Sequence, residues 1–290
     1  MGWFDGKAAL ITGGGSGIGR GACERLAREG ADICIADIDT DGANETASMV
    51  REFGRNAIVV KANTASKPQI QEAAERCLDE LGGLDVCFAN AGIARAASIL
   101  EMDLKDWQDQ LDVNLTGVFL TVQAAAQRMV KAGRGGRIVC TASLAAETTG
   151  ANVWSYSATK AGVRMMVRGW AQELGPHGIT VNAIGPGVID TPLAHGLAGD
   201  DGGPIRTALE HRTPIGRVGK PADIAGLVTF LAGPDGEFMT GSYLIMDGGL
   251  RDARALPDLD PTSPINQERA RIMQASVARR QRLQPLIDER

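Results

Sequence analysis

Apolar residues are grouped along this chain in two alternating kinds of run. Short stretches rich in Val, Ile, Ala and Cys occupy residues 8–12, 33–37, 57–61, 86–90, 137–141, 179–184 and 243–246. All but the last are followed by a longer segment of helical character. The short runs are continuously apolar rather than alternating, so each strand is covered on both faces. That pattern predicts an α/β fold: a doubly wound parallel sheet of Rossmann type, with helices on both faces joined by right-handed crossovers.

No glycine- or proline-rich linker and no fixed-period repeat interrupts the pattern before Gly249. Residues 1–250 therefore read as one domain. Within it, 187–213 forms a long, glycine-containing stretch that is weakly helical only at 204–211, the length of a lid or binding loop. Residues 251–290 form an extension with eight arginines against six acids. Ser263-Pro264 is a good helix start there, leading into 265–283 with Ile272, Met273 and Val277 near one face. Such a helix would pack over a partner subunit or over the active site; a solvated tail accounts for the same sequence equally well.

Composition narrows the partners. The chain has 290 residues, 44% of them hydrophobic, and a net charge of −5, which gives no footprint for nucleic acid or an anionic membrane. No window of about eighteen apolar residues is free of polar interruption, and residues 1–7 lack the features of a signal peptide. The reading is a soluble, cytoplasmic protein acting on small molecules. Cys23, Cys34, Cys77, Cys87 and Cys140 form no Cys-x-x-Cys pair and fall within predicted helices or strands, as core thiols of a reducing compartment do. His177, His195 and His211 lack ligand spacing, so no metal site is expected; the last two read as solvent-facing residues of the lid.

The chemistry is concentrated at strand ends. The first strand runs into Thr12-Gly-Gly-Gly-Ser-Gly-Ile-Gly19 and then a helix, the setting a dinucleotide-binding turn requires. Glycines let the backbone turn sharply and let a pyrophosphate approach the free N–H groups and positive dipole of the helix N-terminus. Alone, such a cluster is also what a flexible turn looks like. The second strand ends at Asp37, about twenty residues on, where a carboxylate hydrogen-bonds the adenosine ribose. It would repel a 2′-phosphate, and Gly14, Gly15, Ser16 and Ile38 offer no cation to offset that, so the cofactor expected is NAD rather than NADP. Asp37 could instead cap the next helix, as could Asp39 or Thr40. Tyr156 and Lys160 stand four apart on a helical stretch and share a face. Lowering a phenol by 2 to 3 pKa units takes roughly 3 to 4 kcal/mol, about what a lysine charge ~4 Å away supplies at an effective dielectric of ~20. Ser143, thirteen residues before Tyr156 at a strand end, would hydrogen-bond the substrate oxygen.

With these residues in place, residues 6–249 resemble the short-chain dehydrogenase/reductase family. The resemblance rests on Thr12 to Gly19, Asp37, Asn90-Ala91-Gly92, Asn114 in Asp-Val-Asn, Tyr156-x-x-x-Lys160 and Pro186-Gly187. It implies a catalytic tetrad of Asn114, Ser143, Tyr156 and Lys160, with Lys160 also holding the nicotinamide ribose and Asn114 shaping a water relay to it. It implies cofactor contacts from Gly13, Ser16, Gly17, Ile18, Gly19, Asp37, Ile38, Asn63, Thr64, Asn90, Ala91, Gly92, Tyr156, Lys160, Pro186, Gly187, Ile189 and Thr191, of which Ile189 and Thr191 match positions that hold the carboxamide. Thr12 and Asn90 look like floor residues. It also implies a homotetramer or homodimer, with helices around 104–131 and 153–174 at one interface. Asn63 departs from the family's aspartate at the adenine, and the extension has no counterpart in the common pattern.

The expected activity is hydride transfer between NAD(H) and a secondary alcohol or ketone, with Tyr156 as base in oxidation and acid in reduction. The substrate wall, drawn from Ser143, Ala145, Trp154, Tyr156, Val188 and Leu193, with Ile93, Leu144 and Val153 nearby, is mostly apolar, which favours an alicyclic, aromatic or steroid-like substrate. A 3-oxoacyl thioester reductase would use the same tetrad, though Asp37 argues against the NADPH usual in reductive biosynthesis. A non-catalytic nucleotide-binding protein would keep the fold, but the intact tetrad speaks against it.

Overall fold

The computed structural model describes residues 2–198 and 203–253, together with 264, 266–268, 270–272, 274 and 275 of the extension. Seven parallel strands form one sheet: β1 (Ala8–Thr12), β2 (Asp32–Asp37), β3 (Ala57–Lys61), β4 (Val86–Ala89), β5 (Gly136–Thr141), β6 (Ile179–Pro186) and β7 (Tyr243–Met246). Their order is β3-β2-β1-β4-β5-β6-β7, so the chain changes direction across the sheet between β1 and β4. Strand β6 runs two residues further than its apolar run, because Gly185 and Pro186 continue the register against Ile245 and Met246.

Continuous apolar strands give this layering a direct cause. Along β1, Ala8 and Leu10 enter one core while Ala9 and Ile11 enter the other. The first core is closed by α3 (Lys67–Leu81), α5 (Gly117–Ala132) and α6 (Trp154–Leu174). The second is closed by α1 (Gly17–Arg28), α2 (Thr40–Glu52) and α9 (Pro221–Ala232). All five cysteines are free and buried in these layers.

Helix α4 (Leu104–Leu111) continues into α5 through a widened π turn at Asp112–Thr116. Such a turn is a local expansion of the helix often found at functional positions, and here it carries Asn114. The described residues of 187–213 hold more helix than the sequence suggests, α7 (Pro192–Ala198) and α8 (Pro204–Arg212). Each opens on a proline, which has no N–H to leave unpaired in a first turn. In the extension, Pro264 begins the described helical residues and Ile272 is buried; Met273 and Val277 lie outside the described residues. No helix among the described residues is long and apolar enough to cross a membrane.

Candidate active site

The turns after β1 and β4 meet at the point where strand order reverses, and side-chain hydrogen bonds lock them together. The Thr12 hydroxyl accepts from the backbone N–H of Asn90 at 3.0 Å and of Ala91 at 3.3 Å. The Asn90 amide donates to the carbonyls of Thr12 (3.1 Å) and Gly13 (3.3 Å) and accepts from Thr141 Oγ1 at 3.1 Å. Asn90 thus spends both ends of its amide on scaffold, joining the ends of β1, β4 and β5.

Helix α1 begins at the glycine turn, where Ser16 caps no backbone group with its side chain, so the first-turn N–H groups face outward for an anion. Gly19 is fixed by close packing: a Cβ there would lie 2.0 Å from the Gly13 carbonyl oxygen. From outside the turn, Arg20 donates to the Gly15 carbonyl at 2.6 Å and pairs with Glu45 at 2.8 Å, and Thr46 donates to the Gly14 carbonyl at 2.9 Å. Thr191 closes the inner side, its Cγ2 at 3.0 Å from where a Gly17 Cβ would stand.

Asp37 does not cap α2; Asp39 does, accepting from the N–H groups of Asp41 and Gly42. The Asp37 carboxylate instead accepts from Gly15 N–H at 2.7 Å and Asp39 N–H at 2.9 Å. Burial pushes its pKa up, opposed by those N–H groups. A half-buried carboxylate at the outer end of the glycine turn is an acceptor of the kind a ribose diol needs. These features together fit a dinucleotide. Of the residues expected at the adenosine, Asn63 accepts the Ala65 N–H with its side-chain carbonyl (3.0 Å), and Thr64 is buried against Gly117.

Asn114 is fully buried and clamps Ile93, accepting its N–H and donating to its C=O, each at 2.8 Å. That clamp sets the path of the chain after Gly92. Lys160 is 2% exposed. Its Nζ donates to the Thr141 carbonyl at 2.8 Å and lies 3.4 Å from where a Gly92 Cβ would be. Burial lowers its pKa to about 8. Tyr156 shares its face as the four-residue spacing requires, but the ammonium stands over the ring, 5.6 Å from its centroid. The expected depression of the phenol by a lysine at ~4 Å is therefore corrected: burial dominates and pushes Tyr156 above its ordinary value, opposed by a hydrogen bond with the Ser143 side chain. Ser143 sits just past β5 as N-cap of a short 3₁₀ turn, its hydroxyl also accepting from Ala145 N–H at 3.1 Å.

The structure brings Ser143, Tyr156, Lys160 and Asn114 together beside Gly92. Around them, Trp154 stacks on Trp107 with centroids 5.7 Å apart. The N–H of Ala97 reaches the carbonyl of Asn152, the one non-glycine residue with positive φ (68°) among the described residues. Pro186, the last residue of β6, and Gly187 lead to the buried Ile189, which bridges to Gly219, while Leu193 lies on α7. His195 is exposed, as expected, and its ring lies 2.6 Å from Asp190, whose carboxylate also takes the buried Arg206 at 3.2 Å. Val188 packs on Ile205, Leu209 and Ile272, so the described part of the extension touches the lid of its own chain. Ile205, Arg206, Leu209 and Tyr243, which bonds the Ser143 carbonyl, were not picked out by the sequence pattern. The Pro192 and Pro204 helix starts are the one signal that could have marked the lid's order.

A family model described as enoyl-(acyl carrier protein) reductase matches residues 13–251. The chain belongs to the short-chain dehydrogenase/reductase family. Within that family it is 38% identical over 248 residues to an L-rhamnose 1-dehydrogenase (NAD(P)(+)) of Sphingomonas sp. (strain SKA58), covering 85% of this chain and 97% of that protein. It is equally 38% identical over 247 residues to a cis-4-hydroxycyclohexanecarboxylate dehydrogenase of Sinomonas cyclohexanicum, with 85% and 97% coverage. Among solved structures, carveol dehydrogenase from Mycobacterium avium in complex with NAD superposes with a TM-score of 0.81 at 33% identity, over 86% of this chain and 99% of that one. As a short-chain dehydrogenase/reductase the chain is an oxidoreductase that uses a nicotinamide cofactor.

Proposed function

We propose that this chain interconverts a secondary alcohol and its ketone with NAD(H) in preference to NADP(H). The observation that carries the reading is the convergence of the Tyr156 phenol, the Ser143 hydroxyl and the Lys160 ammonium beside Gly92, at the sheet edge where the glycine turn opens. The nicotinamide, when bound, supplies or accepts the hydride. Ser143 holds the substrate oxygen, and Tyr156 takes its proton in oxidation or returns it in reduction. Lys160, close to Gly92, would hold the nicotinamide ribose. Asn114 positions the loop carrying Ile93. Gly13, Ser16, Gly17, Ile18 and Gly19 take the pyrophosphate, Asp37 and Ile38 the adenosine ribose, Asn63, Thr64, Asn90 and Ala91 the adenine side, and Pro186, Gly187, Ile189 and Thr191 the carboxamide.

Support for NAD comes from Asp37, since a 2′-phosphate would face a carboxylate, while Arg20 spends its guanidinium on Gly15, Gly42 and Glu45. Support for an apolar ring alcohol comes from the apolar character of the residues expected at the substrate wall, Ala145, Trp154, Val188 and Leu193, and from the apolar cluster in which Val188 packs with Ile205, Leu209 and Ile272. The names of two relatives, carveol and hydroxycyclohexanecarboxylate dehydrogenase, point the same way; rhamnose is the polar alternative. Exposed Leu104, Phe119 and Met165 on α4, α5 and α6 support a homo-oligomer that covers them. Free buried thiols suit a cytoplasmic setting.

The test is turnover of a panel of ring alcohols, sugars and 3-oxoacyl thioesters with each cofactor, wild type against Tyr156→Phe. The expected result is NAD-linked oxidation of ring alcohols, rising toward alkaline pH as the phenol ionises, and a loss of about 10²- to 10⁴-fold in kcat in the variant. A Tyr156→Phe enzyme with wild-type turnover refutes the reading.

A further inference from the structure

The chain has two tyrosines, and both converge on Ser143. Tyr243 lies on the edge strand β7, opposite Ala183 of β6. Its hydroxyl donates to the Ser143 backbone carbonyl at 2.5 Å. To reach it, the ring crosses β6 directly over Gly185, where a Cβ would lie 2.5 Å from the hydroxyl oxygen and 2.6 Å from the carbon that bears it. The missing side chain at 185 is thus the opening through which the phenol passes. On its outer side the ring carries the Arg164 guanidinium, 4.9 Å from its centroid. Arg164 is held by Glu147 at 3.0 Å, whose other oxygen takes Arg251 at 3.2 Å.

We propose that Tyr243 is a positioning residue for Ser143, holding the serine hydroxyl against the Tyr156 phenol from two strands away. The inference rests on the alcohol dehydrogenase reading above. The last sheet hydrogen bond near this point is from Ala142 N–H to the Ile184 carbonyl, at 2.9 Å. Beyond it the backbone leaves the sheet, and the Ser143 carbonyl has two partners: the Ala146 N–H at 2.9 Å, which belongs to the local turn, and the Tyr243 hydroxyl. One carbonyl thereby fixes the turn to the sheet edge. Burial, reinforced by the Glu147 charge, pushes Tyr243 up to about 12, so its O–H persists as a donor through the alkaline range in which alcohols are oxidised. Without that donor the carbonyl keeps only its local partner. The turn gains freedom, and the Ser143 contact that favours the Tyr156 phenolate weakens.

Tyr243→Phe keeps the ring, its passage over Gly185 and its stack with Arg164, and removes only the donor. The expected result is a fall of about tenfold in kcat, the worth of one well-placed hydrogen bond, with the cofactor Kd within twofold. The pH midpoint for alcohol oxidation should rise by about half a unit or more, as roughly expected when a hydrogen bond to the charged form is weakened. A readout independent of turnover exists. Phenolate absorbance in Tyr243→Phe reports Tyr156 alone, and the wild-type signal minus that of Tyr156→Phe reports Tyr156 with Tyr243 in place. The first should titrate at higher pH than the second. Gly185→Ala, which forces the ring aside, should reproduce the upward shift. A phenylalanine variant that keeps both midpoints overturns the proposal, whether or not its melting temperature falls. If the wild type oxidises no alcohol, the dehydrogenase reading fails, and the phenolate titration still decides the role of Tyr243.

Discussion

The glycine turn and the lid border the same sheet edge but are held by different forces. Around the turn the ties are backbone groups and short polar side chains rooted in the middle strands: Thr12, Asn90 and Thr141 join three strand ends, and Asp37 grips Gly15. The lid has two short helices, one isolated bridge between Ile189 and Gly219, an ionic cluster of Asp190 with His195 and Arg206, and an apolar patch closed by Ile272. The first kind of construction depends on main-chain geometry and tolerates little substitution. The second depends on side chains that can change without moving the first. The turn proposed for the cofactor and the lid that meets it at Thr191 are thus built by different means along one short sheet edge.

Three substitutions sharpen that contrast. Lys160→Met should have the largest effect, because the catalytic edge carries a buried charge that the lid side does not bury to the same degree. Its kcat is expected to fall by about 10²-fold or more, while the apo protein becomes more stable. Below about pH 8 the ammonium is charged in both folded and unfolded states, so its burial cost is fully present there; it fades as pH rises toward the unfolded value of 10.5. The variant's gain in unfolding free energy should therefore be on the order of 3 kcal/mol below pH 8 and vanish above 10.5. Chemical denaturation at pH 7 and pH 10 measures this, and a gap that grows with pH contradicts it. Next, Asp37→Ser should shift the ratio of NAD to NADP kcat/KM by roughly thirtyfold toward NADP, about 2 kcal/mol of relieved repulsion. An unchanged ratio would place the ribose elsewhere. The smallest effect belongs to the lid: Arg206→Ala should raise substrate KM by roughly five- to tenfold, as expected for about 1 kcal/mol of lost ordering. Cofactor affinity should stay within twofold, and equal loss of both affinities would break the comparison.

How far the sequence could be read follows the same division. The strands were legible because residues buried on both faces leave unbroken apolar runs, and the end of β1 could be placed to the residue. Tyr156 and Lys160 were legible because their spacing within one helix fixes their relation, and Asp37 because it ends the strand that follows the glycine turn and its helix. The ionisation of Tyr156 was not, since the 5.6 Å offset of the ammonium over the ring and the burial of the phenol depend on packing between α6 and β5. Helix α7 was missed because a seven-residue helix offers too few turns for a periodic signal. The bond from Tyr243 to Ser143 spans 100 residues of sequence and needs the β5-β6-β7 order, which apolar patterning does not encode.

The thiols hold a practical consequence. Cys34, Cys77, Cys87 and Cys140 are sealed in one layer and Cys23 in the other, with burial pushing Cys140 up to about 12, so the thiolate is scarce in the native state. An alkylating reagent can reach them only when the layers part. The molecule thus carries an internal clock on each side of its sheet, and the pace at which each set is labelled tells whether the two layers open together or one at a time.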